Sequence, residues 1–129
     1  PLLPSMTRGA QGGVRWEASL DAGLAAAKAR GKPALLDMRA DWCPACLELE
    51  KKTWPDPGVQ KWLGAVVPVR LDMTKNADAD QALMRRYGVK GLPTVLLLSP
   101  EGAVLAGFVG YKSPEAVLAW AGSAKSEAR

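Results

Sequence analysis

Three observations in the sequence predict an α/β domain with a mixed central sheet of four to five strands and helices on both faces. Short runs rich in Val and Leu recur along the chain, bounded by Gly, Pro or polar turns, and read as buried strands. Longer segments rich in Ala, Leu and charged residues separate them and read as helices, an alternation that calls for parallel pairing. Near the C-terminus TVLLL and AVLAGFVG are joined by the turn SPEG, a hairpin that adds an antiparallel strand.

The expected element order is β-α-β-α-α-β-α-β-β-α. Residues 1–13 are rich in Gly, Pro and small polar types and read as a flexible linker or N-terminal extension. The domain proper is expected over 14–122, with a polar tail at 123–129. Val14 to Trp16 suggests a short edge strand. Ser19 then caps an Ala- and Leu-rich helix that stops at Gly31. The run from Pro33, PALLDMRA, reads as a buried strand, and helix formers follow Cys43 as far as Lys52. WPDPGVQKWLG breaks that helix and starts a short one. AVVPVRLDM is the next strand, and Pro68 within it argues for an edge or a bulge. ADADQALMRRYG is a helix closed by Gly88. Ser113 and Pro114 supply an N-cap and a first-turn Pro for the last helix, expected to end near Gly122.

Bulk properties narrow the function. A length of 129 residues suits one domain with a single core. No apolar run is long enough to span a bilayer. The N-terminal residues lack the features of a signal peptide, so the chain is expected to be either cytosolic or a mature or excised piece of a larger protein. The net charge of +4 is spread among acids without a basic, aromatic-interleaved patch, so no nucleic-acid partner is expected. The chain contains no His, which excludes Ser–His and Cys–His catalysis and removes the commonest metal ligand.

Both cysteines fall in ADWCPACLELE, two residues apart. A zinc site needs four ligands, and one C-x-x-C without His supplies two, so no metal is expected. A bridge closing so short a loop constrains the unfolded chain little, which argues against a purely structural staple. Redox chemistry is the remaining reading. Cys43 lies where a strand gives way to a helix. A thiolate there faces unpaired backbone N–H groups and the positive end of the helix dipole, and both lower its pKa. Pro44 suits the first helical position. Cys46 lies one turn further in, turned toward the protein. Cys43 is therefore the expected nucleophile and Cys46 the resolving thiol.

LLDMRADWCPACLELEKKTW, with DPGVQKWL, LDMT and YGVKGLPTVLLL following in order, resembles the thioredoxin superfamily. More closely, it resembles the C-terminal periplasmic domains of bacterial transmembrane thiol:disulfide interchange proteins. The likeness runs from about Trp16 to Trp120. It implies a thioredoxin fold and a protein-disulfide reductase. Electrons would come from a membrane-embedded cysteine pair and pass to a periplasmic acceptor domain, with no cofactor beyond the Cys43–Cys46 disulfide. It further implies a periplasmic location within an inner-membrane protein and a monomeric isolated domain. Two departures stand out: Pro44-Ala45 replaces the Gly-Pro of thioredoxin, and Leu47 stands where a Lys often follows the second Cys.

Further residues carry over by match. Asp37, six residues before Cys43, falls where thioredoxins keep a buried acid; the competing reading is a solvated strand-end acid. Glu50, four residues after Cys46, is expected on the same helical face; the competing reading is an ordinary surface acid. Near a thiol, such acids raise its pKa and relay its proton. Pro93 matches the superfamily's cis-proline, which sets the backbone of Leu92 beside the disulfide for pairing with an extended partner. Trp42 is expected half-exposed over Cys43, against a competing role in the core. Trp42, Pro44, Leu92 and Pro93 are the expected partner-binding residues. Two rivals have other consequences: a free-standing reductase, for example in cytochrome c maturation, and a non-catalytic binding module of the same fold.

Overall fold

The computed structural model describes residues 8–11 and 13–127. Its strands are β1 (Arg8–Gln11), β2 (Val14–Glu17), β3 (Ala34–Arg39), β4 (Val67–Asp72), β5 (Thr94–Leu98) and β6 (Val104–Val109). The helices are α1 (Leu20–Arg30), α2 (Pro44–Glu48), α3 (Pro57–Leu63), α4 (Asp78–Arg86) and α5 (Pro114–Glu127). A π-helical turn, Leu49–Thr53, continues α2. The strands form one sheet in the order β1-β2-β4-β3-β5-β6. β3 runs parallel to β4 and antiparallel to β5, which pairs with β6 as the expected hairpin.

The local signals act as their chemistry requires. Ser19 Oγ accepts the Ala22 N–H at 3.1 Å, and Gly31 ends α1 at φ 65°, a left-handed conformation that favours glycine. Asp56 caps α3 through the Val59 N–H at 3.1 Å, and Ser113 caps α5 through the Ala116 N–H at 3.1 Å.

Four expectations are corrected. Residues 8–11, assigned from sequence to a flexible linker or N-terminal extension outside the sheet, form β1, the sheet's sixth strand; residues 1–7 and 12 lie outside the described residues. β1 pairs antiparallel with β2, so Val14 to Trp16 is not an edge. Pro68 also lies in an interior strand. The Val67 N–H points toward β3, bonding Pro33 O at 2.9 Å, so the donor Pro68 lacks would face β2. There the register has a single pair, Glu17 with Val69, and little is lost. Finally, α5 runs through Gly122 to Glu127. Val117, Ala121 and Ala124 are all buried on one face, and their packing outweighs the glycine. Of the expected tail, 128–129 lie outside the described residues.

Core side chains separate by the alternation of the strands. Leu35 joins Leu49, Trp54, Val59 and Val117 on one face of the sheet. Leu36 and Met38 join Leu20, Ala27, Val69 and Leu71 on the other. Full burial of each large apolar side chain contributes about 1.5–3 kcal/mol. α1 approaches β4 closely because Gly23 has no side chain: a Cβ there would strike Val69 Cγ2. Val69 is fully buried and stiff at χ1, so it cannot swing away. Gly23→Ala should therefore destabilise by about 1–3 kcal/mol despite alanine's better helix propensity. The check is a lower urea midpoint at unchanged m-value.

Candidate active site

β3 delivers the chain to the site. Past Arg39, the buried Ala40 accepts the Cys43 N–H at 3.2 Å, closing a turn over Asp41 and Trp42. Cys43 is the N-cap of α2 in an extended conformation, φ −102° and ψ 106°, and Pro44 opens the helix. Cys43 and Cys46 are joined by a disulfide with Cα atoms 5.2 Å apart. The Cys46 N–H donates to Cys43 Sγ at 3.2 Å. The first cysteine's sulfur thus takes the place of an N-cap oxygen, at the end of the helix where negative charge is favoured. Cys46 is only 1% exposed and Cys43 5%, with Ala40, Ala45 and Leu92 packed around them.

The Leu92–Pro93 peptide bond is cis, and Leu92 lies against the cysteine pair. Trp42 is 63% exposed, which removes the core-packing reading. Its indole N–H donates to Thr74 O at 3.1 Å, tethering it to the loop after β4. Trp42 and Leu92 border a groove with Met73, Met84 and Val89. Leu47, within α2, is also exposed.

The two acids occupy one polar row inside the fold. Asp37 and Arg39 point to the same side of β3 as Leu35. They stand in register with Arg70 and Asp72 of β4. Asp37 is buried, not a solvated strand-end acid. Its Oδ2 accepts the Trp54 indole N–H at 3.1 Å, and its Oδ1 has no partner among the described residues. Burial raises its pKa to about 7; the Trp54 hydrogen bond opposes this, the Glu50 charge adds to it, and Arg70 and Arg39 oppose it.

Glu50 is not an ordinary surface acid either. Its two oxygens accept from Arg39 Nε at 2.7 Å and Nη2 at 3.2 Å, and Arg70 Nη2 lies 3.3 Å from Oε2. Neither carboxylate bonds a cysteine sulfur among the described residues. Reading the sequence missed Arg39, Arg70 and Trp54. A signal for Arg39 existed: a cation that shares a mostly apolar strand with Asp37, with a further acid at 41, needs buried partners.

Residues 20–125 match the thioredoxin-like domain family. The chain is similar to the thiol:disulfide interchange proteins DsbD of Haemophilus ducreyi (41% identical over 93 residues, 70% of this chain) and Klebsiella pneumoniae (48% over 85 residues, 66% of this chain). It spans only 16% and 14% of those proteins' own lengths. The oxidised C-terminal domain of Neisseria meningitidis DsbD superposes with a TM-score of 0.70 at 27% identity, covering 84% of this chain and 97% of that one. With this match over most of its length, and with a C-x-x-C disulfide at a helix start beside a cis-proline, the chain belongs to the thioredoxin-like domain family and resembles the C-terminal domain of DsbD.

Proposed function

We propose that this domain is a dithiol–disulfide oxidoreductase working as a reductant. It would accept electrons from a membrane-embedded cysteine pair and pass them to a periplasmic partner domain, as part of an inner-membrane protein. The observation that carries the reading is the hydrogen bond from the Cys46 N–H to Cys43 Sγ at a helix start, which favours a thiolate at Cys43. The likeness to DsbD supports the direction and the location.

In the forward step the Cys43 thiolate attacks one sulfur of the partner's disulfide. An S–S bond forms between the proteins, and the partner's other sulfur leaves as a thiolate. Cys46 then loses its proton and attacks Cys43 Sγ. This re-forms the Cys43–Cys46 bond and expels the partner's second thiolate. Two electrons pass to the partner, and the domain is oxidised by the same amount. Asp37, held near neutrality, is suited to receive the Cys46 proton. Trp42, Pro44, Leu92 and Pro93 would form the surface on which the partner segment lies.

The test is equilibration against glutathione buffers of rising reducing strength, followed by thiol labelling and mass measurement. The pair should convert cooperatively from disulfide to dithiol, and the dithiol form should then reduce a protein disulfide stoichiometrically. A pair that stays oxidised in excess dithiothreitol, or a dithiol that reduces nothing, would leave only the binding-module reading.

A further inference from the structure

Arg39 is a charged residue with only 2% of its surface exposed, at the end of the strand that leads to the cysteines. A buried cation is costly unless its hydrogen bonds are met, and here several are. Two of its N–H groups grip Glu50 in bidentate fashion, at 2.7 and 3.2 Å. Nη1 donates to Asp41 Oδ1 at 2.6 Å and to Asp72 Oδ1 at 3.3 Å. Only the planar fork of a guanidinium can reach acceptors so placed.

The bonds then form a closed circuit around the active-site turn. Asp72 Oδ1 accepts from the Thr74 N–H at 3.0 Å and from the Thr74 hydroxyl. Thr74 Oγ1 accepts the Asp41 N–H at 2.8 Å, and Thr74 O accepts the Trp42 indole. Arg39 lies four residues before Cys43, and its partner Glu50 four residues after Cys46. One side chain therefore clamps the chain on both sides of the dithiol.

We infer that Arg39 is a positioning residue for the dithiol: it fixes the Ala40–Cys43 turn and Trp42, and it sets a positive charge against the acids gathered at the end of β3, four residues before Cys43. The inference rests on the redox reading given above. The charges that face this region are Asp37 and Asp41 beside Arg39, Glu50 on the π-helical turn, and Arg70 and Asp72 on β4. Further out, Glu48 pairs with Lys52 at 3.1 Å, and Lys90 borders the groove under Trp42. Without Arg39, Arg70 alone faces Asp37, Asp41, Glu50 and Asp72, so the local charge becomes one unit more negative and the thiolate loses stabilisation.

The test uses this chain with Cys46→Ala, so that Cys43 titrates alone. Two quantities are measured: the pH dependence of Cys43 alkylation, and hydrogen exchange of the Trp42 indole N–H, assigned with Trp42→Phe. Arg39→Gln should raise the alkylation midpoint by about one pH unit, so that alkylation below it slows about tenfold. It should also speed Trp42 indole exchange. Arg39→Lys keeps the charge but not the fork, so its midpoint should stay near that of the parent while indole exchange quickens. Thr74→Val cuts the circuit away from the buried cation and should quicken exchange with no shift in midpoint. This variant and Arg39→Lys decide the matter if Arg39→Gln does not fold. Folded variants with both the midpoint and the exchange rate of the parent would overturn the inference. Failure of the redox reading is separate: the unsubstituted chain would then fail to exchange disulfides at all.

Discussion

Cys43→Ser should abolish disulfide reduction, while Cys46→Ser should accumulate a long-lived mixed disulfide with the acceptor. The two sulfurs lie in one short loop, yet their surroundings differ. Cys43 Sγ receives a backbone N–H at the helix start, whereas Cys46 is packed inside the first turn. Both have little exposed surface, 5% and 1%, so it is charge stabilisation more than access that separates them. A serine alkoxide is not available at neutral pH, so Cys43→Ser has no nucleophile. Cys46→Ser retains the nucleophile but has no thiol to expel the partner. The trapped species should appear on non-reducing gels and vanish on adding dithiothreitol. The partner would lie beside two exposed apolar side chains, Trp42 and Leu47, and over the groove bordered by Met73, Met84 and Leu92. Alkylation of the reduced chain that modifies Cys46 before Cys43 would reverse the assignment.

The elements with strong local signals were legible in the sequence. Ser19, Gly31 and Ser113 mark helix ends by side-chain or backbone chemistry that acts within a few residues. The C-x-x-C at a strand–helix junction is equally local, and so its place at an N-cap could be anticipated. What escaped depends on contacts distant in sequence. β1 exists because it pairs with β2, and nothing in RGAQ announces a strand. Pro68 reads as an edge residue until it is known which neighbour its missing N–H would face. The π-helical turn displaces the simple four-residue periodicity on which the placement of Glu50 relied. Family likeness pointed to Asp37 and Glu50, but not to the guanidiniums that hold Glu50. Arg39 and Arg70 reach it from different strands, and only the β3–β4 register brings them together.

Asp37 should make the oxidised protein less stable as pH rises, and Asp37→Asn should remove much of that dependence. Its carboxyl is buried, with one oxygen bonded to the Trp54 indole and the other without a partner among the described residues. Burial raises the pKa from 3.8 to about 7 in the folded chain. The folded state thus holds this proton more tightly than the unfolded state does. Below about pH 4 both states are protonated, and the protonated acid's full contribution to stability is present. Between about pH 4 and pH 7 the unfolded chain ionises first, and stability falls; above pH 7 the loss is complete and constant. At about 1.4 kcal/mol per pH unit the total is on the order of 4 kcal/mol. Asparagine is nearly isosteric, does not titrate, and can still accept the Trp54 N–H through its carbonyl. Its buried NH2 group costs about 1–3 kcal/mol if it finds no acceptor. Asp37→Asn should therefore match or fall below the parent at pH 4 and exceed it at pH 8. Urea unfolding of both oxidised proteins at the two pH values measures this, and the difference between them isolates Asp37 from carboxylates common to both. In the Cys46→Ala background the same substitution should also lower the Cys43 alkylation midpoint, since it removes a negative charge that opposes the thiolate. Parallel stability curves together with coincident alkylation profiles would show that Asp37 is neither strained by its burial nor felt by the cysteine.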